Sequence, residues 1–237
     1  MKLIASDFDG TVYKGGRISE KDIAAIERWQ AEGNAFGIVT GRGRDIFDRA
    51  KEHGVTLDYA VALNGAQVID RDGTILHEEV FDLSWEKRYF AFVNQFPQQE
   101  EGVAIYAKHD PDGPDSKENV YGIAQLSLVM TSPAEASRVT DLLNEKFGDE
   151  LVSFANWSCI NTVKRGVSKA TGIAEYARRF GVAFEDVYAV GDAHNDLPML
   201  EAYDGYVVNS ATEEMKARIR NHVEDMEELA DIANGRK

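Results

Sequence analysis

Two aspartates, Asp7 and Asp9, stand two residues apart just past a short apolar run, Leu3-Ile4-Ala5, and Gly10 and Thr11 follow at once. Paired carboxylates repel unless a positive charge lies between them, and a hard divalent cation with oxygen ligands meets that need. One carboxylate could hold the ion while attacking phosphorus, and its neighbour could move the proton. The ordinary alternative is an Asp-Gly turn with solvated acids. A second cluster has the same form: the run Val187 to Val190 leads into Gly191-Asp192-Ala193-His194-Asn195-Asp196. Between the two lies Thr40-Gly41-Arg42-Gly43-Arg44, a hydroxyl, two glycines and two arginines. That set suits an oxyanion held by backbone N–H groups, Thr40 and an arginine, and it equally suits a Gly-rich turn with solvated arginines. Lys169 falls in the first turn of an expected helix, where a cation opposes the helix dipole, so a nearby anion cluster would make the position useful. The five histidines show no zinc-type spacing, so His194 is not read as a ligand.

These groups can meet only if the elements between them bring strand ends together. Leu3 to Ala5 is too short for a helix and reads as a buried strand; if the chain stayed extended past it, Asp7 and Asp9 would point the same way. Ser19 followed by Asp22 resembles a helix N-cap, with Ile23, Ile26 and Trp29 on one face and Gly33 as the C-terminal cap. Ala35 to Val39 is a second strand, which completes a βαβ unit and predicts a parallel sheet. A helix with Ile46, Phe47 and Ala50 inward ends near Gly54, and Tyr59 to Leu63 is a third strand. Asn64-Gly65 after it is either a hairpin turn or part of the same rim. Residues 68–76 read as a further hairpin.

From Leu83 to Thr162 the order becomes αββαββ: a helix capped by Ser84, strands at 103–107 and 122–130, a helix opened by Ser132-Pro133-Ala134-Glu135, and strands at 151–154 and 158–163. The stretch from His109 to Asn119 reads as a mobile acidic loop. Trp157 and Lys108 are either core or substrate-facing. After residue 163 the α/β pattern resumes. A helix carries Ile173, Tyr176, Ala177 and Phe180 and closes at Gly181. Strands at 187–190 and 205–208 follow, with helices from Thr212 onward. The fold class is therefore α/β, a Rossmann-like parallel sheet core of residues 1–82 and 163–237 with an inserted α+β cap domain of residues 83–162. Open sheets of this kind bind ligands at the carboxyl ends of their strands, where all the polar clusters fall.

Composition excludes other classes. The chain has 237 residues, 43% of them hydrophobic and 28% charged, as expected of a folded water-facing protein. No apolar run reaches membrane-spanning length and the start lacks a signal-peptide pattern. A formal net charge of −15 argues against nucleic acid or an anionic membrane as partner. The lone Cys159 rules out an internal disulfide and fits a reducing cytoplasm, so a cytoplasmic location is expected.

Asp7-Phe-Asp-Gly-Thr-Val12, Thr40-Gly41-Arg42, Lys169 and Gly191-Asp192-x-x-Asn195-Asp196 together resemble, in order and placement, the four signature motifs of the haloacid dehalogenase-like hydrolases. The insertion after the third strand and its αββαββ order resemble the Cof-type phosphatase branch. The resemblance implies a Mg²⁺-dependent phosphatase of small phosphomonoesters, sugar phosphates or similar metabolites, acting as a monomer or small homo-oligomer. It implies Asp7 as a nucleophile that becomes an aspartyl-phosphate, and Asp9 as general acid and base whose backbone carbonyl also binds metal. Thr40 and Gly41 would hold phosphoryl oxygens, with Arg42 beside them. Lys169 would neutralise nucleophile and phosphate, Asp192 would bind Mg²⁺ directly, and Asn195 and Asp196 would support phosphate or metal-bound water. The alternatives are a sugar phosphomutase with the same core chemistry and a catalytically silent phospho-ligand sensor. A mutase cap is expected to be rich in arginine, and residues 83–162 contain only Arg88 and Arg138.

Overall fold

A computed structural model describes residues 1–110 and 119–236; most of the acidic stretch between His109 and Asn119 lies outside the described residues. The chain forms two compact units, residues 1–77 with 168–237, and residues 78–167.

The first unit is built on the expected buried strands. β1 (Leu3–Ser6), β2 (Ala35–Val39), β3 (Tyr59–Ala62) and β10 (Val187–Gly191) run parallel, with β10 beside β1, β1 beside β2, and β2 beside β3. β11 (Tyr206–Val208) and β12 (Asn221–Val223) extend the parallel part beyond β10. β4 (Gln67–Asp70) pairs antiparallel with β3, and β5 (Ile75–Glu78) forms the other edge. Both faces are covered, which is why the central strands are apolar throughout rather than alternating. Ile4 packs in one cluster with Ile26 and Trp29 of α1 (Glu20–Ala31), Ile46 of α2 (Ile46–Glu52) and Leu229 of α8 (Met226–Ala233). Its neighbours Leu3 and Ala5 pack in the opposite cluster. There they meet Ile173 of α5 (Lys169–Phe180), Leu200 of α6 (Leu197–Ala202) and Met215 of α7 (Glu213–Arg218). The period-2 side-chain alternation of a strand thus feeds two separate cores.

Helix boundaries follow their caps. Ser19 accepts from the N–H of Asp22, and the Ser168 side chain from that of Thr171, whose hydroxyl accepts from the Ser168 N–H in return. That reciprocal pair fixes where α5 starts, and so where Lys169 sits. Gly181 ends α5 in the left-handed conformation.

The second unit is a four-stranded antiparallel sheet, β6 (Gln98–Lys108), β7 (Val120–Met130), β9 (Cys159–Lys164) and β8 (Leu151–Asn156) in spatial order, with α3 (Ser84–Val93) and α4 (Pro133–Phe147). Trp85, Tyr89 and Val93 from α3 and Val139, Leu143 and Phe147 from α4 share a core with Leu126, Leu128 and Ile160 of the sheet. The αββαββ order is as expected from the sequence.

Three local expectations are corrected. The strand β12 between the last two helices was not foreseen, because three residues with two polar ones carry almost no periodic pattern. Ser84 does not cap α3; its N–H donates to Asp82 Oδ1. Phe180 is exposed rather than inward, since α5 ends there. The compact second unit runs from Glu78 to Val167, where Phe81 bridges Ile123 and the Arg165 N–H donates to Glu150.

Candidate active site

Every candidate site residue lies in the first unit, at the carboxyl end of a parallel strand or at the start of α5. β1 stops at Ser6, and the chain then folds on itself: Tyr13 N–H donates to Phe8 O and Gly10 N–H to Tyr13 O, with the Phe8 and Tyr13 rings stacked at 4.9 Å. The strand does not continue through Asp9, so the period-2 argument for two parallel carboxylates fails. Instead they take different partners. Asp7 is buried and accepts from Lys169 Nζ at 2.6 Å. Asp9 is half-exposed and accepts from Arg42 through both oxygens, Nε at 2.7 Å and Nη2 at 2.8 Å. That bidentate bond raises the Arg42 guanidinium above its ordinary value.

Lys169, fully buried, bridges two acids, donating to Asp7 and to Asp196 Oδ1 at 2.5 Å. Burial pulls its ammonium down, and the charges of Asp196 and Asp7 outweigh burial and raise it. Asp196 is fixed from its other side by the backbone N–H groups of Asp192 (2.9 Å) and Ala193 (3.0 Å). Asp192 accepts from the Thr11 hydroxyl at 2.7 Å. Gly10 is required here twice over: its φ is +92°, and a Cβ would run into the Asp192 carboxylate. Thr11, part of the motif yet given no role in the sequence reading, is thus the residue that orients Asp192.

At the end of β2, Thr40 is buried and its hydroxyl accepts from the Arg42 N–H at 3.1 Å, so the proton it can present to an anion is its own. Asn64, in a left-handed turn after β3, is buried and accepts from Asn195 Nδ2 at 3.4 Å. Asn64-Gly65 therefore serves both readings open in the sequence: it turns the β3–β4 hairpin and lines the rim. Asn195 Oδ1 is buried without a hydrogen-bond partner among the described residues. His194 stands exposed beside Glu214, away from any ligand role.

Asp7, Asp192 and Asp196 each offer one oxygen within 4.8 Å of the others. Burial, then the charges of Asp196 and Asp192, raise Asp7 well above the usual carboxylate range against the opposing pull of Lys169. Burial likewise raises Asp192, against the Thr11 hydrogen bond. Three carboxylates share one ammonium, and a hard divalent cation among them would favour their ionised forms. The all-oxygen donor set fits Mg²⁺. The carboxylate of Asp9, held by Arg42, is outside this group.

The family model for haloacid dehalogenase-like hydrolases matches residues 4–112 and 106–234. A phosphatase acting on 5-amino-6-(5-phospho-D-ribitylamino)uracil from Bacillus subtilis is 25% identical over 228 residues, covering 84% of this chain and 83% of that protein. The B. subtilis phosphatase YwpJ is 23% identical over 270 residues, covering 92% of each. A solved haloacid dehalogenase-like hydrolase from B. subtilis superposes with a TM-score of 0.80 over 99% of both chains at 18% identity. The chain belongs to the haloacid dehalogenase-like hydrolases. Within them it stands with the Cof-type phosphatases, enzymes that hydrolyse phosphoesters. Among the described residues no helix is long and apolar enough to cross a membrane.

Proposed function

We propose that this phosphatase is Mg²⁺-dependent, hydrolyses small phosphomonoesters such as sugar phosphates, and works through an aspartyl-phosphate on Asp7. The observation that carries the reading is the buried cluster in which Lys169 bridges Asp7 and Asp196 with Asp192 alongside. Asp7, Asp192 and Asp196, with the backbone carbonyl of Asp9, would hold the ion. When bound, it would neutralise charge on the phosphoryl oxygens.

Thr40, the N–H of Gly41, Arg42 and Lys169 receive the phosphoryl group, and Asn195 supports it. An Asp7 oxygen forms a bond to phosphorus as the ester P–O bond breaks, and Asp9 gives its proton to the departing alkoxide. Water then attacks the phosphorus of the aspartyl-phosphate, Asp9 takes back a proton, and inorganic phosphate leaves with Asp7 regenerated. Asp9 begins paired to Arg42. A phosphate dianion competes for that guanidinium, so substrate arrival gives Asp9 a reason to leave the pair, take up a proton from solvent and face the leaving group.

Residues 83–162 are proposed as the specificity-determining cap, since the core residues touch only what every phosphomonoester shares. Water is the favoured acceptor over a second sugar phosphate. Arg88 lies over the Trp85 ring at 4.0 Å, and Arg138 pairs with Glu135, so both cap arginines are engaged within their own unit. The B. subtilis relative acts on a phosphorylated ribityl compound, which falls in the same class of small polyhydroxylated monoester.

The test has two readouts. Chelation abolishes phosphate release from a panel of small esters and Mg²⁺ restores it. Mg²⁺ at a hundredfold excess over its Kd also stabilises the wild-type fold by about 2.7 kcal/mol. Asp192→Ala loses that stabilisation. Full turnover in excess chelator would overturn the reading.

A further inference from the structure

The Leu63–Gly65 turn touches three separate parts of the site. Leu63 N–H donates to Arg42 O and Asn64 N–H to Thr40 O, both at 2.9 Å, so the turn is stapled to the phosphate-holding segment along its backbone. Gly65, at φ +106°, lies so close to the Ser168 carbonyl, one residue before Lys169, that a Cβ there would collide with it. The Asn64 side chain meets Asn195 on the loop after β10. Asn64 holds a left-handed conformation (φ 54°, ψ 29°) that L-residues other than Asn and Asp seldom adopt, and it does so buried.

The geometry points to Asn64 as a positioning residue for catalysis. Its backbone sets the Thr40–Arg42 segment, and its side-chain oxygen fixes which way the Asn195 amide faces. Asn195 has one donor group occupied by Asn64 while its Oδ1 is buried without a protein partner. A buried acceptor in that state costs free energy unless a donor reaches it, and holding the amide in this orientation keeps Oδ1 presented to a donor in the site. The contact is long at 3.4 Å, as is common before substrate binds. This role rests on the phosphatase reading above for its consequence in catalysis, though not for its geometry.

Asn64→Gly tests it, because glycine adopts the left-handed turn without strain and removes only the side chain. With p-nitrophenyl phosphate, kcat/KM is expected to fall about fivefold, the loss of one modest hydrogen bond. In an Asn195→Ala background the same change is expected to cost less than about twofold, because residues acting through one another are non-additive. An equal fold loss in both backgrounds would mean that Asn64 acts only on the fold and would overturn the inference. Crystals of Asn64→Gly are expected to show the Asn195 side chain turned from its present rotamer; an unmoved Asn195 also overturns it. This second arm needs no turnover. If the wild-type protein released no phosphate from any ester, the phosphatase reading would fail while the Asn195 rotamer still decided this one.

Discussion

The two units bury polar groups of different kinds. In the first, Asp7, Lys169 and Asp196 are all buried, charged and in mutual contact. In the second, the buried polar side chains among the described residues are Gln125, Thr140, Ser153 and Thr162, none of them charged. There the hydroxyls form a chain, Tyr89 to Thr162 at 2.9 Å and Thr162 to Ser153 at 2.8 Å. Taking a charge out of water is far more costly than burying a hydroxyl that keeps a hydrogen bond. A fold tolerates the first where function requires it and uses the second to order a core. Burial of charge alone does not mark a site, however. Asp22 is also buried, and its two oxygens accept from the Met226 N–H and from Ser19, tying α1 to the start of α8. What separates the Asp7 cluster is that three carboxylates converge on one point and two of them share one lysine.

Substitutions can break this contrast, beginning with the nucleophile. Asp7→Asn is expected to lower turnover by at least about 10⁴-fold and to leave no acid-stable, hydroxylamine-labile phosphoenzyme in a trapping assay. Wild-type turnover in that variant would remove the first unit's claim to the chemistry. Asp9→Asn is expected to lose about 10²–10⁴-fold in kcat, as for other general acids, while keeping the thermal stabilisation by Mg²⁺ because its carboxylate is outside the acid cluster.

Two smaller effects sharpen the comparison from the other side. Replacing residues 83–162 by a short linker is expected to flatten the ranking of small phosphate esters and to leave Mg²⁺ dependence intact. An unchanged ranking would take substrate choice away from the second unit. Tyr89→Phe removes one end of the hydroxyl chain, and is expected to cost about 1 kcal/mol in urea unfolding. Its kcat/KM for any ester should match wild type, so a kinetic defect would show that this neutral network reaches the chemistry.

Much of the first unit was legible from residue patterns. Fully buried parallel strands appear as unbroken apolar runs, and their ends show as abrupt switches to Asp, Gly, Thr and Asn, as at Ala5 to Asp7 and Val190 to Asp192. Caps such as Ser19 and, in the second unit, Ser132 marked helix starts because their hydroxyls compete for the same unsatisfied N–H groups everywhere. The short β12 was not legible, nor was the Asp82 turn ahead of α3, because neither three residues nor an Asp two positions before the expected cap stands out from ordinary loop composition.

The sequence by itself determined which groups exist and at which strand ends they fall: two acid clusters, a Thr-Gly-Arg turn, a lysine opening a helix, an Asn-Gly turn. Which of them meet was decided by the tertiary structure. Asp7 and Asp9 are near neighbours in the chain, yet one is neutralised by a lysine 162 residues away and the other by an arginine 33 residues away. The reason is that β1 ends at Ser6 and the chain turns, so local spacing no longer controls direction, and strand order then sets the neighbours. Placing β10 and β2 on either side of β1 brings Asp192 and Asp196 to Asp7 and Arg42 to Asp9. Coulomb energies depend on separation in space and on the dielectric around the pair, and neither is written in the spacing of residues along the chain.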